Sequence, residues 1–569
     1  MEERVCESQM EDERGNHMRI IVIGAVAAGT SAAAKARRNS EEAEIVIYEK
    51  DSDISYSGCG MPYFLGGEIK DMGELTPRNP AFFRSKYNVD VQTSCEVTTI
   101  DPEEKRIKIR NLGTGQVFED RYDKLIIATG AISVIPHILG AEGDDVFTLR
   151  NIRDMKRIYN FMNQRKPKKA VIIGTGFIGL ELCENLKRKG IEVTLMEKLN
   201  QVTPNLDPDM AIYVEEHLKT KGVQVLKKVN IEQIREKEVR LTDGTKVLTD
   251  MVILAVGVRP NTTLAREMGI HLGKFGGIRV NEKMETNLPD VFACGDCIEQ
   301  FHVVTQKPVY RPLGSTANKT GRIAGDCVTG GSLEFRGVLG TGIFRIFDLT
   351  VGQTGLTERE ALENGYEILA SHNIKPNKPE YMGGREMVIK TIADKKTGRI
   401  LGAQIIGEEG VDKRVDVFAT AISFGAKAED LFHVDFGYAP PFSTTKDPVM
   451  YSGMILDNAL NRERELISVE ELEKLMQSKE EVQIVDARVE SQYQTHHVEG
   501  ARNIPHEKLR QEADTLDKNQ ITVTYCNKGN TGNAAQNILI NRGFKKVYNI
   551  SGGHRTYEKR LLIKRPPMK

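Results

Sequence analysis

The stretch AVIIGTGFIG, residues Ala170–Gly179, decides the fold, because it carries a complete G-x-G-x-x-G fingerprint directly after an apolar run. Gly174 permits the tight turn, Gly176 lets backbone approach a pyrophosphate, and Gly179 lets the following helix pack on its strand. A second apolar strand ends at Glu197, 23 residues after Gly174. An acid there bonds a ribose hydroxyl and repels a 2′-phosphate. The stretch predicts a βαβ unit that binds NADH, while the lysine after the acid leaves NADPH use open.

An earlier copy of the pattern lies in RIIVIGAVAAG, residues Arg19–Gly29, followed by a helix of small residues. An acid again closes the next strand, since Glu49 lies 25 residues after Gly24. The copy departs at the second glycine, where Val26 stands, so an ordinary βαβ turn is the alternative interpretation. The candidate cofactor-binding residues of this copy are Gly24, Ala28, Gly29, Glu49 and Lys50.

Two dinucleotide units in one chain indicate two nucleotides, and the natural division is a flavin and a nicotinamide. Each unit is closed by a further strand that runs into a glycine turn, Leu125–Gly130 in the first and Val252–Gly257 in the second. Asp290–Asp296 is a strand that ends in Gly-Asp, and an aspartate there can accept hydrogen bonds from a flavin ribityl chain. The candidate residues are Thr129, Gly130 and Asp296 for FAD and Gly257 for NAD.

The stretch SYSGCGMPYF, residues Ser55–Phe64, places one cysteine among turn-forming residues just beyond the first unit. Pro62 suits the first turn of a helix, and a cysteine near a helix start is favoured as thiolate. Phe64 stands five places after Cys59, so there is no C-x4-C pair. A catalytic Cys59 would form a mixed disulfide, a persulfide or a sulfenic acid. A buried, inert loop cysteine is the alternative.

Length and composition set the class of protein: 569 residues suggest three or four domains. A net charge of -1 gives no sign of a nucleic-acid partner, and no apolar run is long enough to span a membrane. Residues 1–18 are acidic and polar, which predicts a disordered extension rather than a signal peptide. Eight scattered cysteines favour the reducing cytoplasm. The single C-x-x-C, at Cys294, has no second pair at zinc spacing, so we expect no metal site.

These motifs together resemble the pyridine nucleotide–disulfide oxidoreductase family over residues 19 to about 455. The cysteine stretch is similar to the single-cysteine branch, whose members reduce coenzyme A disulfide, oxygen or peroxide. The resemblance implies FAD, a nicotinamide cofactor, a homodimer and coenzyme A disulfide or persulfide as substrate. It also implies that Cys59 is the nucleophile and that Ser55 and Arg38 contact coenzyme A. For Arg38, a solvated helix end is the alternative.

The segment 335–456 resembles the interface domain of that family, in which a tyrosine from the partner subunit reaches the active cysteine. Tyr438, within Phe436–Phe442, fits that position, and Tyr381 resembles a second such tyrosine. A phenol near sulfur can donate a proton to a leaving thiolate. The alternative is that both tyrosines only pack at an interface.

The last segment, residues 467–569, resembles a single rhodanese domain. Ser468 and Glu471 form a capping-box pattern, and VQIVDAR at Val482–Arg488 reads as a strand that ends in an acid. The resemblance assigns the catalytic position to Cys526. A rhodanese commonly has an arginine five residues later, where this chain has Thr531, so persulfide handling is favoured over thiosulfate cleavage. An inert structural module is the alternative.

The sequence thus predicts an α/β protein with two Rossmann-like dinucleotide-binding domains, an α+β dimerisation domain and a C-terminal α/β rhodanese domain. The predicted function is NAD(P)H-dependent reduction of coenzyme A disulfide, persulfide or polysulfide. An NADH oxidase or peroxidase with a sulfenic-acid cysteine, and a sulfur carrier that serves a partner, are the alternatives. The predicted segments are 1–18 (extension), 19–145 with 262–334 (FAD), 146–261 (NAD), 335–456 (dimerisation), 457–466 (linker) and 467–569 (rhodanese).

Overall fold

The computed structural model describes residues 17–478 and 480–564, so nearly all of the predicted N-terminal extension lies outside the described residues. The chain divides into two compact units. The first contains the described residues up to Gly174 together with 182–193 and 231–338, and the second contains 175–181, 194–230 and the described residues from Leu339 onward. None of the helices in the described ranges has the length and apolar character that a bilayer-crossing segment needs.

The first unit is built on a five-stranded parallel sheet whose central strand is Arg19–Ile23. Its residues are almost fully buried, as expected for a parallel strand covered on both faces. Helix Ala27–Asn39 follows the central strand, which confirms the predicted βα turn. The sheet order is Val291–Ala293, Lys124–Ile127, Arg19–Ile23, Glu44–Tyr48 and Asp90–Gln92, and the other helices here include Met61–Gly66, Pro80–Tyr87 and Gly314–Cys327.

The same unit holds further groups of strands. Strand Met251–Leu254 pairs in parallel with Lys169–Ile173 on one side and Val146–Phe147 on the other. Helix Ile152–Arg165 connects strand Val146–Phe147 to strand Lys169–Ile173, and Asn151 caps its N-terminus. The two antiparallel three-stranded sheets are Cys95–Asp101, Arg106–Asn111 and Val117–Arg121, and Ile231–Arg235, Glu238–Leu241 and Lys246–Leu248.

The second unit contains the rest of the second dinucleotide motif and an antiparallel sheet. Helix Phe177–Arg188 and strand Glu192–Met196 begin in one unit and end in the other, and Pro208–Thr220 is a helix of the second unit. The antiparallel sheet has one nearly buried strand at its centre, Ile400–Gly407, and is covered by helices Val411–Ser423 and Pro448–Asn461. Its strand order is Gly342–Ile346, Leu349–Gly355, Ile400–Gly407, Glu386–Asp394 and Ile368–Pro376.

The C-terminal part of this unit is a five-stranded parallel sheet with helices, as predicted for a rhodanese domain. The capping box of Ser468 and Glu471 is present at the start of helix Val469–Gln477. The strand order is Leu466–Ile467, Val547–Ile550, Ile521–Tyr525, Val482–Asp486 and Ala501–Asn503, and the other helices are Glu490–Thr495, His506–Glu512, Asn530–Asn541 and Gly553–Lys564.

The C-terminal domain contacts the antiparallel sheet through a buried histidine. The His372 ring lies between the Ser551 hydroxyl, at 3.1 Å, and the Asp209 carboxylate, at 2.8 Å. Lys390 is fully buried and bonds the same carboxylate. Although burial opposes it, Lys390 and His372 hold the pKa of Asp209 well below its usual range. His372 therefore connects the Asp209–Lys390 ion pair to Ser551, which lies in the rhodanese segment.

Arg414 and Asp447 form a second buried ion pair, on the helices that cover the antiparallel sheet. The Arg414 guanidinium donates to both Asp447 oxygens, at 3.2 and 2.8 Å. Asp447 also accepts from the Val449 N–H at 2.9 Å and so caps helix Pro448–Asn461. Both side chains are 1% exposed or less.

Replacing Asp447 with alanine should lower the free energy of unfolding by about 3–5 kcal/mol, because it leaves the Arg414 charge buried without its counter-ion. Denaturant unfolding followed by circular dichroism measures the change. Asp457→Ala on the same helix is the matched control, since Asp457 is 3.7 Å from exposed Arg462 and such pairs contribute about 0–1 kcal/mol. Equal losses in the two variants would contradict the stabilising role of the buried pair.

Candidate active site

The first fingerprint turn requires glycine at two positions, and a hydrogen bond from its backbone to the acid stabilises it. Gly24 has φ +107°, and a Cβ there would overlap the Ala128 carbonyl oxygen. A Cβ at Gly29 would overlap the Gly24 carbonyl oxygen in the same way. Glu49 accepts from the Ala25 N–H at 2.7 Å, so the acid also fixes the turn itself. Burial raises the pKa of Glu49, and the backbone N–H donors oppose that rise.

The second turn repeats this arrangement. Gly174 has φ +101°, and a Cβ there would overlap the Ala255 carbonyl oxygen. Glu197 accepts from the Thr175 N–H at 3.1 Å and from its hydroxyl at 2.7 Å. A Cβ at Gly176 would meet nothing within 4 Å, which leaves space for a ligand beside the turn. Gly179 lies in the first turn of helix Phe177–Arg188.

The remaining candidate cofactor residues are glycine turns and their polar neighbours. Gly130, Gly257 and Gly295 have φ of +68°, +110° and +80°, values that favour glycine. Thr129 donates to the Asn261 carbonyl at 2.6 Å, and Asp296 pairs with Arg150 at 2.8 Å. A Cβ at Gly295 would meet the methyl group of Ala28.

A cavity in the first unit begins at Lys50, directly after the acid of the first fingerprint. It is lined by carboxylates, hydroxyls and the basic side chains of Lys50, Arg153 and Lys156. These donors suit a phosphorylated nucleotide, and the glycine turn leads into the N-terminus of helix Ala27–Asn39, which no side chain caps and which favours an anion. The residues of this unit therefore fit a dinucleotide such as FAD.

Cys59 is on an exposed turn of the first unit. It lies in the 3-10 turn Gly58–Gly60, and helix Met61–Gly66 follows with Pro62 in its first turn, as predicted. The Gly60 N–H donates to the Ser57 carbonyl at 3.2 Å and closes the turn. Of the seven cysteines in the described ranges, Cys59 alone is exposed and the other six are buried. This thiol is thus accessible to a solute.

The two residues assigned to coenzyme A contact differ in how strongly the fold constrains them. Ser55 has φ +48°, a left-handed conformation that is uncommon for a residue other than glycine, and its N–H donates to the Ala25 carbonyl at 2.8 Å. Arg38 is exposed, and its guanidinium lies 5.5 Å from the Tyr87 ring centroid. Its neighbour Arg37 is buried, and its nitrogens donate to backbone carbonyls such as Tyr87.

Tyr438 and Tyr381 are both exposed on the second unit, at 49% and 76% of their full accessible surface. Tyr381 lies in the short 3-10 helix Glu380–Met382. Phe442 and Phe424 are also exposed, at 71% and 83%.

Cys526 follows the buried strand Ile521–Tyr525, and its sulfur accepts from the Gly529 N–H at 3.2 Å. Helix Asn530–Asn541 begins directly after this loop. The Lys528 ammonium bonds Glu386 on the antiparallel sheet. A donor N–H stabilises negative charge on sulfur, which favours the thiolate form of Cys526.

A histidine pair beside this loop is one group that the sequence analysis missed. The His554 backbone N–H donates to the Cys526 carbonyl, and its ring nitrogen Nε2 lies 3.0 Å from Nδ1 of His496. Burial lowers the pKa of His554 to about 4, and the Arg488 charge adds to the shift. With Glu558, these are ligand atoms close enough together to hold a metal ion. The two histidines are 58 residues apart in the sequence, so no local pattern indicated the pair.

Comparison with protein families finds three matches. Residues 18–313 match the family described as pyridine nucleotide-disulphide oxidoreductase, and residues 343–448 match its dimerisation domain. Residues 468–560 match the rhodanese-like domain.

Two curated relatives cover the first three quarters of the chain. One, named NADH oxidase, from Methanocaldococcus jannaschii, is 38% identical over 76% of this chain and 97% of its own. Another, named NAD(P)H sulfur oxidoreductase (CoA-dependent), from Pyrococcus furiosus, is 37% identical over 77% of this chain and 99% of its own.

Two solved structures extend over the C-terminal domain as well. Reduced CoADR-RHD of Bacillus anthracis is 37% identical, with a TM-score of 0.94 over 97% of this chain and 99% of that one. A NAD-dependent persulfide reductase from A. fulgidus is 35% identical, with a TM-score of 0.88 over 95% and 100%.

Proposed function

Because this chain belongs to the pyridine nucleotide-disulphide oxidoreductase family and carries a rhodanese-like domain, we propose that it reduces coenzyme A disulfide and coenzyme A persulfide or polysulfide at Cys59. The observation that carries the proposal is the accessible thiol on the Gly58–Gly60 turn. The names of the Pyrococcus and A. fulgidus proteins support coenzyme A and sulfane sulfur as substrate chemistry. The dimerisation-domain match supports a homodimer.

The proposed chemistry at Cys59 is thiol–disulfide exchange. Its thiolate attacks one sulfur of coenzyme A disulfide, so that a Cys59–coenzyme A disulfide forms and the bond between the two coenzyme A sulfurs breaks. The departing thiolate takes a proton, and we assign its donation to Tyr438 of the partner subunit. Ser55 and Arg38 hold coenzyme A. Bound FAD and NAD(P)H would supply the two electrons needed to break the Cys59–coenzyme A disulfide, which releases the second coenzyme A as a thiol and restores the Cys59 thiolate.

The two fingerprint turns are assigned to the two cofactors. The residues from Gly24 to Lys50, with Thr129, Gly130 and Asp296, hold FAD. The residues from Gly174 to Glu197, with Gly257, hold the nicotinamide cofactor. What supports this is that both turns require glycine and both acids bond the turn.

Steady-state NADH consumption with separate acceptors tests the proposal. Coenzyme A disulfide or persulfide should be reduced faster than oxygen or hydrogen peroxide. The name of the M. jannaschii relative favours a second candidate, an NADH oxidase. That relative covers only 76% of this chain, and oxygen reduction gives the rhodanese domain no role. Fast oxygen or peroxide turnover with negligible disulfide turnover would replace our proposal with the second candidate.

Replacing Glu197 with alanine should lower kcat/KM for NADH about tenfold and raise the ratio of NADPH to NADH use. The carboxylate bonds a ribose hydroxyl and repels a 2′-phosphate. Initial rates with both cofactors measure the ratio. Thr175→Ala is the matched control, because it removes the 2.7 Å hydroxyl bond to Glu197 and keeps the carboxylate. An unchanged ratio in the Glu197 variant would show that this acid does not choose the cofactor.

A further inference from the structure

The loop that carries Cys526 has little free positive charge of its own. Thr531 stands where rhodaneses commonly place an arginine, and the one cation within the loop, Lys528, is bonded to Glu386. Arg555 bonds the other oxygen of that carboxylate at 2.9 Å. An anion that approaches this sulfur would therefore depend on cations from outside the loop.

Two lysines of the dimerisation segment are candidates for such cations. The Lys375 ammonium is 4.0 Å from the centroid of the Tyr451 ring, and the Lys446 ammonium is 6.0 Å from the same centroid. Neither lysine forms an ion pair within residues 17–478 or 480–564. Two ammonium groups over one ring repel each other, and a bound anion would relieve that repulsion.

The strand register places Lys375 beside the residue that binds the cysteine loop, and Lys446 lies near the same Tyr451 ring as Lys375. Lys375 pairs with Met387 and the next residue pairs with Glu386, the carboxylate that Lys528 and Arg555 bond. Arg555 also donates its backbone N–H to the Asn527 carbonyl, next to the cysteine.

The charges of the two elements act on each other. Burial lowers the pKa of Lys375, the Lys528 and Lys446 charges lower it further, and the Cys526 thiolate raises it. Lys528 and Arg555 share the Glu386 carboxylate, and the Lys375 and Lys446 charges add to theirs, so positive charge exceeds negative charge in this group.

We propose that Lys375 and Lys446, with the Cys526 loop, form a composite site for an anionic sulfane-sulfur donor. The shared chemistry is a sulfane sulfur on an anionic group, as in thiosulfate or in the persulfide of a phosphorylated thiol. The inference rests on the proposed function, and it assigns to the rhodanese-like domain the transfer of sulfane sulfur to Cys526. It adds that the dimerisation segment, rather than the rhodanese loop, selects the donor by charge.

The transfer at this site needs no oxidant or reductant. The Cys526 thiolate attacks the outer, sulfane sulfur of the donor, and the new S–S bond forms as the donor S–S bond breaks. The Cys526 persulfide keeps the transferred sulfur. The leaving group is sulfite or the carrier thiolate, which takes the electron pair of the broken bond and a proton from solvent.

The double variant Lys375→Gln/Lys446→Gln of the full-length enzyme tests the site, without NADH. The readout is the rate of Cys526 persulfide formation, from the mass of the peptide that contains it. Coenzyme A persulfide and thiosulfate are the anionic donors, and the persulfide of 2-mercaptoethanol, whose carrier is uncharged, is the reference. We expect the rate constant with at least one anionic donor to fall about tenfold or more, and the reference rate to change less than twofold.

The source of the anion follows from which rate falls. A loss with coenzyme A persulfide alone assigns the lysines to its phosphates, and a loss with thiosulfate alone assigns them to a small anion. Lys395→Gln is the matched control, because Lys395 is exposed just beyond the opposite end of the same strand pair.

Equal losses with charged and uncharged donors, or no loss with either anion, would overturn the inference. If wild-type Cys526 accepts sulfur from none of the three donors, the proposed transfer to Cys526 fails instead. Coenzyme A disulfide reduction by the variant, followed as NADH consumption, shows separately that the protein is folded.

Discussion

Replacing Cys59 with serine will abolish NADH-dependent reduction of coenzyme A disulfide and persulfide, with a loss of about 10³-fold or more in kcat. A serine hydroxyl in place of the thiol cannot form the mixed disulfide, so no covalent intermediate links the substrate to the enzyme. Stopped-flow measurement should still show bound flavin reduced by NADH, because the side chain takes no part in nicotinamide binding. The loss is therefore confined to the sulfur half of the reaction.

Cys526→Ser is the matched control, because it removes the other candidate reactive thiol and leaves Cys59 intact. This variant should reduce coenzyme A disulfide at the wild-type rate and lose activity with at least one sulfane-sulfur donor. A Cys59→Ser enzyme that still turns over coenzyme A disulfide would contradict the assigned nucleophile. Loss of disulfide reduction in the Cys526 variant would contradict the proposal that Cys59 reduces the disulfide while Cys526 handles sulfane sulfur.

Replacing Gly174 with alanine should cut NADH-dependent activity about 100-fold, because small displacements of a bound cofactor have effects of that size. At φ +101° an L-residue is strained, by about 1–2 kcal/mol, and its Cβ would overlap the Ala255 carbonyl. Relieving that overlap costs about 1–3 kcal/mol more, so thermal stability should fall as well. NADH titration and thermal unfolding measure the two effects.

The Gly176→Ala variant distinguishes an effect on nucleotide binding from an effect on the stability of the fold. Its Cβ meets no protein atom within 4 Å, so stability should stay near the wild-type value. NADH affinity should fall, since the backbone here approaches the pyrophosphate. A Gly176 variant that binds NADH normally, or a Gly174 variant as stable as the wild type, would show that the turn does not work as proposed.

Local pattern was enough to predict the elements that hold the cofactors and the cysteines. Both fingerprint turns, and the capping box at Ser468, form where spacing and residue type predict them. Each depends on residues a few positions apart, or on a strand–helix–strand repeat whose length varies little. The Cys59 turn and its helix follow for the same reason, because glycine and proline act on their own backbone.

Contacts between distant segments were not predictable. Glu386 and Lys528 are 142 residues apart, and Asp209 and Lys390 are 181 apart. Nothing in the periodicity around Lys390 distinguishes a buried lysine from an exposed one, because its partners come from another element. Arg37 and Arg38 are a further example. The Arg37 guanidinium donates to backbone carbonyls and is buried, whereas the side chain of its neighbour Arg38 is exposed to solvent. The charged groups around Cys526 also come from distant segments, so they were not predictable from the sequence either.

The most direct test of the central claim is the mass of the enzyme after reaction with coenzyme A disulfide in the absence of NADH. We predict that each chain gains a single coenzyme A as a disulfide on Cys59, with release of an equal amount of free coenzyme A. An adduct on another cysteine, or a disulfide between Cys59 and a second cysteine of the chain, would contradict the claim.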